Sequence, residues 1–131
     1  MTTRHARCVC GSLTLKTVGD PRRGGICSCL HCQQRTGSVA AVVAVFAEDQ
    51  VTVDGPSQLF TRPSEDSPAE TSFHFCPTCG TTLYWRNTGM PGVVLVAVGC
   101  FGDPDFPPPR GAIFGERRPA WMKFPDTIKD G

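Results

Sequence analysis

The sequence predicts an all-β domain with little helix, stabilised by bound metal. Three observations carry that expectation. Several short segments alternate apolar and polar residues with period two, the pattern of a half-buried strand. Twelve prolines and fourteen glycines interrupt the 131 residues too often for long helices. Seven of the eight cysteines fall into three tight clusters: Cys8 and Cys10; Cys27, Cys29 and Cys32; Cys76 and Cys79.

Ser12 to Val18 alternates and stops at Gly19-Asp20-Pro21, a strand closed by a turn. Ser38 to Phe46 is a continuous apolar run; a fully buried strand fits it best, with a short buried helix as the rival because alanine recurs. Gln50 to Val53 is a short strand running into the turn Asp54-Gly55-Pro56, and Ser57 to Thr61 is a candidate strand. Thr71 to Phe75 leads into the third cysteine cluster and Thr81 to Trp85 leads out, giving strand, knuckle, strand. Asn87 to Gly92 is a turn, and Val93 to Val98 is a hydrophobic strand. Four prolines between Pro104 and Pro109 exclude a helix or a central strand there. That leaves an extended surface segment before a short terminal piece containing Ile113, Phe114 and Trp121. Leu30 to Thr36 is the one plausible helical turn, and Ser64 to Glu70 is a polar loop expected to be mobile. No repeat or linker divides the chain, so residues 1–131 are expected to form one domain.

Composition excludes several function classes. A net charge of +1 offers no bulk attraction to nucleic acid or an anionic membrane. No run of five like charges occurs, and aromatic residues are not interleaved with a basic patch. The longest apolar stretch, Val39 to Ala47, is about half the ~20 residues a membrane helix needs. The first residues show no signal peptide. A cytoplasmic setting is expected, where clustered cysteines are metal ligands more often than disulfides. Phosphate-binding glycine loops, serine nucleophile elbows and His-Glu-x-x-His motifs are absent.

The Cys76-Pro-Thr-Cys79-Gly80 knuckle lets two sulfurs of one tight turn face one metal, and the glycine suits a positive φ. Cys8 and Cys10, followed by Gly11, are its natural partners more than sixty residues away. Four thiolates close a tetrahedral zinc site, which can supply on the order of 10 kcal/mol towards so long a loop closure.

Cys27-x-Cys29-x-x-Cys32 puts three sulfurs within six residues. Three readings stay open: a zinc with a free fourth position; a zinc closed by His31, His74 or Cys100; or metal-free, redox-active thiols. Charge limits the chemistry of the first. A zinc with three thiolates carries net −1, so it is a weak Lewis acid and ill suited to making hydroxide from water. It is better suited to an incoming thiol held as thiolate. A thiol that also carries carboxylates would want cations nearby, and Arg22, Arg23 and Arg35 are placed for such a rim, although each alone also reads as a solvated loop arginine. His31 is expected to be exposed, and His74 to point to the sheet face opposite Phe73 and Phe75. Cys100 is expected as a small buried hydrophobe, and Trp85 and Trp121 as core or cleft-wall residues.

Cys8-Val-Cys10-Gly11, Cys27-Ser-Cys29-Leu-His-Cys32-Gln-Gln-Arg-Thr-Gly37 and Phe75-Cys76-Pro-Thr-Cys79-Gly80, in this order and separation, resemble the glutathione-dependent formaldehyde-activating (GFA) enzyme family, which includes centromere protein V. The resemblance runs from about Cys8 to Asp126, with similar regions around Gly99 and Trp121. It implies an all-β fold of antiparallel sheets arranged like a tent. It implies two zincs: a structural one on Cys8, Cys10, Cys76 and Cys79, and a catalytic one on Cys27, Cys29 and Cys32. The implied reaction is addition of the glutathione thiol to formaldehyde, giving S-hydroxymethylglutathione, classed as carbon–sulfur lyase chemistry. Two positions depart from the pattern: Ala112, where many relatives carry histidine, and Cys100, where a small hydroxyl or apolar residue is usual.

Two function classes follow. In one, a thiol such as glutathione, held as thiolate, attacks formaldehyde or another small aldehyde. In the other, the chain is a non-enzymatic zinc-stabilised scaffold or protein-interaction module. Four protein ligands on the second metal would favour the scaffold; an exchangeable fourth ligand in a cleft would favour the enzyme.

Overall fold

The apolar run after Gly37 forms a strand rather than a helix, and the reason lies in its position. In the computed structural model, which describes residues 1–130, β4 (Ala41–Ala47) lies inside an eight-stranded sheet and packs apolar residues on both faces. Ala44 and Phe46 enter one hydrophobic cluster, while Val43 and Val45 belong to another on the opposite face. A strand buried on both faces needs no polar alternation.

The large sheet runs in the order β11 (Lys129–Asp130), β10 (Gly111–Ile113), β3 (Arg23–Cys27), β4, β9 (Val93–Ala97), β8 (Thr82–Asn87), β7 (Glu70–Phe75) and β6 (Gln58–Pro63). A three-stranded sheet joins β1 (Thr3–Arg7), β2 (Thr14–Val18) and β5 (Val51–Asp54) in the order β1-β2-β5. The fold is therefore mostly β, and α1 (Leu30–Thr36) is the one α-helix among the described residues. Pairing is antiparallel except at one edge, where β10 runs parallel to both β3 and β11. That edge departs from the antiparallel expectation because the chain returns to it after the proline-rich segment instead of by a hairpin.

Cross-strand partners share a sheet face. The register aligns Arg23, Val45, Leu95, Trp85 and Phe73 in one row across β3, β4, β9, β8 and β7. A neighbouring row holds Lys129, Gly111, Gly25, Val43 and Ala97. These rows form the second face of the sheet. The opposite face carries Ala44, Phe46, Tyr84, Val94 and Val96, which pack with Ala6, Leu13 and Leu15 of the small sheet to make the main core. Phe46, Leu13, Leu15 and Leu83 are completely or almost completely buried there.

Trp85 is buried as expected, but Trp121 is 71% exposed. It sits in the Pro119–Met122 turn, closed by the Met122 N–H donating to the Pro119 carbonyl at 2.9 Å. Trp121 is therefore neither a core nor a cleft-wall residue.

Two glycines separate space from conformation. Gly55 (φ +103) follows β5, and a Cβ there would lie 2.0 Å from the Ser12 carbonyl oxygen. Gly37 (φ +67) ends α1 with open space around it. Replacing Gly37 by Ala is expected to cost only the left-handed backbone conformation, on the order of 1 kcal/mol. Gly55→Ala is expected to cost about 3 kcal/mol or more, because the strained backbone of about 1–3 kcal/mol is joined by the clash with Ser12. Urea unfolding of both variants checks this ordering.

Candidate metal centres

The first knuckle turns between β1 and β2 and the second between β7 and β8, so each belongs to a different sheet. The two loops are built alike. The Gly11 N–H donates to the Cys8 carbonyl at 3.1 Å and the Cys8 N–H to the Leu13 carbonyl at 3.0 Å. The Gly80 N–H donates to the Cys76 carbonyl at 2.8 Å and the Cys76 N–H to the Thr81 carbonyl at 2.9 Å. Gly11 and Gly80 take the positive φ expected of them, +81° and +80°.

The knuckles bring Cys8, Cys10, Cys76 and Cys79 together, with all four sulfurs within 4.8 Å of one another. Cys10 Sγ lies 3.6 Å from Cys8 Sγ and 3.7 Å from Cys76 Sγ. These gaps are far longer than a disulfide bond. They match the edge of about 3.8 Å that a tetrahedron with Zn–S near 2.3 Å requires. The donor set and its spacing fit zinc.

Donors surround these sulfurs. The Leu13 N–H donates to Cys8 Sγ at 3.3 Å and the Thr78 N–H to Cys76 Sγ at 3.4 Å. The Ser12 hydroxyl lies 3.1 Å from Cys10 Sγ and 3.2 Å from Cys76 Sγ, so one side chain bridges both knuckles. Thr81 Oγ1 lies 3.3 Å from Cys79 Sγ and accepts from the Val9 N–H at 3.2 Å. Hydrogen bonding from Thr81 holds the Cys79 thiol down at about 5, and that from Ser12 holds Cys76 at about 7. Ligand spacing alone does not point to Ser12 or Thr81. The signal that could have found them is a hydroxyl residue directly after the knuckle glycine in both Cys10-Gly11-Ser12 and Cys79-Gly80-Thr81.

The second cluster sits where β3 hands over to α1. Cys27 ends the strand and Cys29 caps the helix, its sulfur accepting from the Cys32 N–H at 3.3 Å. Cys32 follows in the first turn, and the three sulfurs lie within 4.8 Å of one another. Cys27 and Cys29 are buried and Cys32 is half-buried. Hydrogen bonding with Cys27 draws the Cys32 thiol down to about 6, aided by Cys29 and Arg35 against the effect of burial. Cys27 is pushed up, first by that same bond and then by burial. Three such donors also fit zinc, supplying three of its four ordinary ligands.

Gln33, in the sequence only one member of the motif after Cys32, anchors this loop. Its Nε2 donates to the Ser28 carbonyl at 2.9 Å and to the Arg117 carbonyl at 3.0 Å, tying the cysteine loop to the turn after β10. Arg35 lies one helical turn beyond Cys32. Its guanidinium stacks 4.7 Å from the Phe73 ring and 4.5 Å from the Trp85 ring, on the second face of the large sheet.

The remaining candidates separate. Cys100 packs against the main core and donates weakly to the Thr82 carbonyl at 3.8 Å; burial raises its thiol, with the Cys8 and Cys79 charges adding to the effect. It therefore belongs to the side of the four-sulfur cluster. His74 stacks on Tyr84 at 4.3 Å and its Nδ1 meets the Ser57 hydroxyl at 3.2 Å, on the face opposite Phe73, as the alternation implies. His31 is exposed on α1. Among the described residues, none of these joins the Cys27, Cys29 and Cys32 group. Arg23 borders a cleft that Cys27 also lines; Arg22 does not, and lies with Arg23 along an adjoining hollow beside Pro21 and Phe106.

The sequence model of the glutathione-dependent formaldehyde-activating enzyme family matches residues 3–117, a span that contains both cysteine clusters. The chain belongs to that family. A crystal structure of a Rhodobacter sphaeroides protein, solved as a structural genomics target, is similar at TM-score 0.54 and 21% identity, covering 73% of this chain and 85% of that one. At that identity the likeness speaks for the fold alone. Among the described residues, no helix is long and apolar enough to cross a membrane.

Ser12 lies close to the sulfurs of Cys10 and Cys76 and within 4.0 Å of that of Cys8, so Ser12→Ala is expected to weaken zinc retention by about 10–100-fold. Competition of the zinc-loaded protein with a chromogenic chelator measures this.

Proposed function

We propose that this chain is a single zinc-binding domain that catalyses addition of a small thiol, glutathione or a relative, to formaldehyde or another small aldehyde, and the reverse carbon–sulfur cleavage. The observation that supports it most is the three-sulfur group: Cys27, Cys29 and Cys32 converge beside a cleft without a fourth protein ligand among the described residues. In this reading Cys8, Cys10, Cys76 and Cys79 hold a structural zinc, and Cys27, Cys29 and Cys32 hold a second one. Bound there, zinc would favour the deprotonated form of an incoming thiol while leaving its sulfur electron rich.

The chain's own residues account for the rest. Three thiolates exceed the charge of one zinc ion, and Arg35, held over the Phe73 and Trp85 rings, places a positive charge against Cys32. Val43 and Leu95 line the cleft next to Cys27 and limit water at the reacting carbon. Arg23 at the cleft border is placed for a carboxylate on the thiol. The thiolate's electron pair forms the carbon–sulfur bond. The carbonyl π pair moves to oxygen, which takes up the proton the thiol released. A cytoplasmic setting, which keeps the eight cysteines reduced, belongs to the same reading.

Thiols add to aldehydes unaided, so the test must resolve rates. Exchange between ¹³C-formaldehyde and its glutathione adduct, followed by magnetisation-transfer NMR, is expected to speed up with protein and to fall to the unaided rate with Cys32→Ser. That variant is expected to lose one zinc per chain and keep its cooperative unfolding. Cys76→Ser is expected to lose the other zinc and much of the thermal stability. Wild-type exchange no faster than in buffer, with glutathione and with smaller and longer thiols alike, would rule the enzyme out.

A further inference from the structure

Cys27 opens onto a cleft of about 670 Å³, within the roughly 300–1,000 Å³ typical of small-molecule sites. Its floor is the second face of the large sheet, with Val43, Val45 and Leu95 below and Met90 to one side. The hollow exists because Gly25 and Gly111, paired across β3 and β10 on this face, carry no side chains. A Cβ on Gly111 would meet nothing within 4 Å, and one on Gly25 only the Gly111 carbonyl oxygen at 3.5 Å. Arg23, Arg110 and Lys129 border the hollow, and no carboxylate among the described residues lines it. None of these three cations has an ion pair or a side-chain hydrogen bond among the described residues.

An apolar floor beside unpaired cations is more than formaldehyde can use, and a polar tripeptide leaves the floor unfilled. We propose that the cleft binds an amphipathic carboxylate whose apolar body covers the Gly25–Gly111 hollow, whose carboxylate meets Arg23, Arg110 and Lys129, and whose far end carries the reacting thiol to Cys27. The strand sets the scale. Arg23 lies four residues before Cys27, roughly 13 Å at about 3.3 Å per residue, which suits a medium-length chain. Placing a thiol at the far end rests on the reading of Cys27, Cys29 and Cys32 as a thiol-presenting centre; binding of the body and the carboxylate does not.

Titration calorimetry of the zinc-loaded protein with acetate, octanoate and 8-mercaptooctanoate tests this. Octanoate is expected to bind at least about tenfold more tightly than acetate, and 8-mercaptooctanoate more tightly still. Arg23→Gln combined with Arg110→Gln is expected to weaken octanoate by about tenfold or more. Gly111→Val, whose Cβ would enter open space in the hollow, is expected to abolish octanoate binding with the melting temperature kept. Cys32→Ser is expected to leave octanoate unchanged and to remove the extra affinity of the mercapto acid. Octanoate no tighter than acetate, or indifferent to Gly111→Val, overturns the proposal. Octanoate behaving as expected while the mercapto acid gains nothing supports the carboxylate cleft and removes the thiol-presenting reading alone.

Discussion

Four sulfurs decide how the two sheets meet. Cys8 and Cys10 hang from a hairpin of the small sheet and Cys76 and Cys79 from a hairpin of the large one. Cys10 and Cys76, 66 residues apart in sequence, bring their sulfurs to 3.7 Å across the junction. Thiolates at that distance repel one another in the absence of a cation. A zinc ion bound there would turn the repulsion into a tie between the sheets, on the order of 10 kcal/mol or more. The surrounding residues hold the sulfurs in place for it. Ser12 bridges sulfurs of both knuckles, and its own carbonyl is pressed against Gly55, where no side chain fits. The main core, Phe46 and Val94 against Leu13 and Leu15, fills the angle that this junction holds open.

With the small sheet committed to one face of the large sheet, the other face is left to carry the cleft. The register separates the two faces. Phe46, Val94 and Tyr84 go to the core, while Val45, Leu95, Trp85 and Phe73 form a platform on the far side. Helix α1 lies against that platform through Arg35, and the hand-over from β3 to α1 sets three cysteines at its edge. The two cysteine groups thus differ by position as well as by number. One joins the sheets; the other borders a cleft on a face the core does not need.

Most of the large sheet is legible in the sequence because its strands are locally marked. β7 and β8 flank a knuckle, and β4 and β9 are apolar runs bounded by turns. β3 is not legible, because its Arg-Gly-Gly-Ile-Cys has no strand pattern; both glycines pair in the ladder, and Gly25 also leaves room for the hollow. Nor are β1, β10 and β11, short segments that become strands only through pairing with partners the local pattern does not reveal. The seven clustered cysteines are legible because metal geometry confines ligands to short spacings. The supporting shell is less so: Ser12, Thr81 and Gln33 act through contacts that only the folded loops create. Hydrophobicity alone places Trp121 inside, but a single large apolar residue in a turn beyond the sheets finds nothing to cover it.

The central claim is the division of the cysteines into a closed set of four and an open set of three. Zinc-edge X-ray absorption on the two-zinc protein tests it most directly. A mean of about 3.5 sulfurs per zinc is expected, rising to about 4 when excess thiol is added. A mean of about 4 before the thiol is present, or no rise after it, would contradict that division.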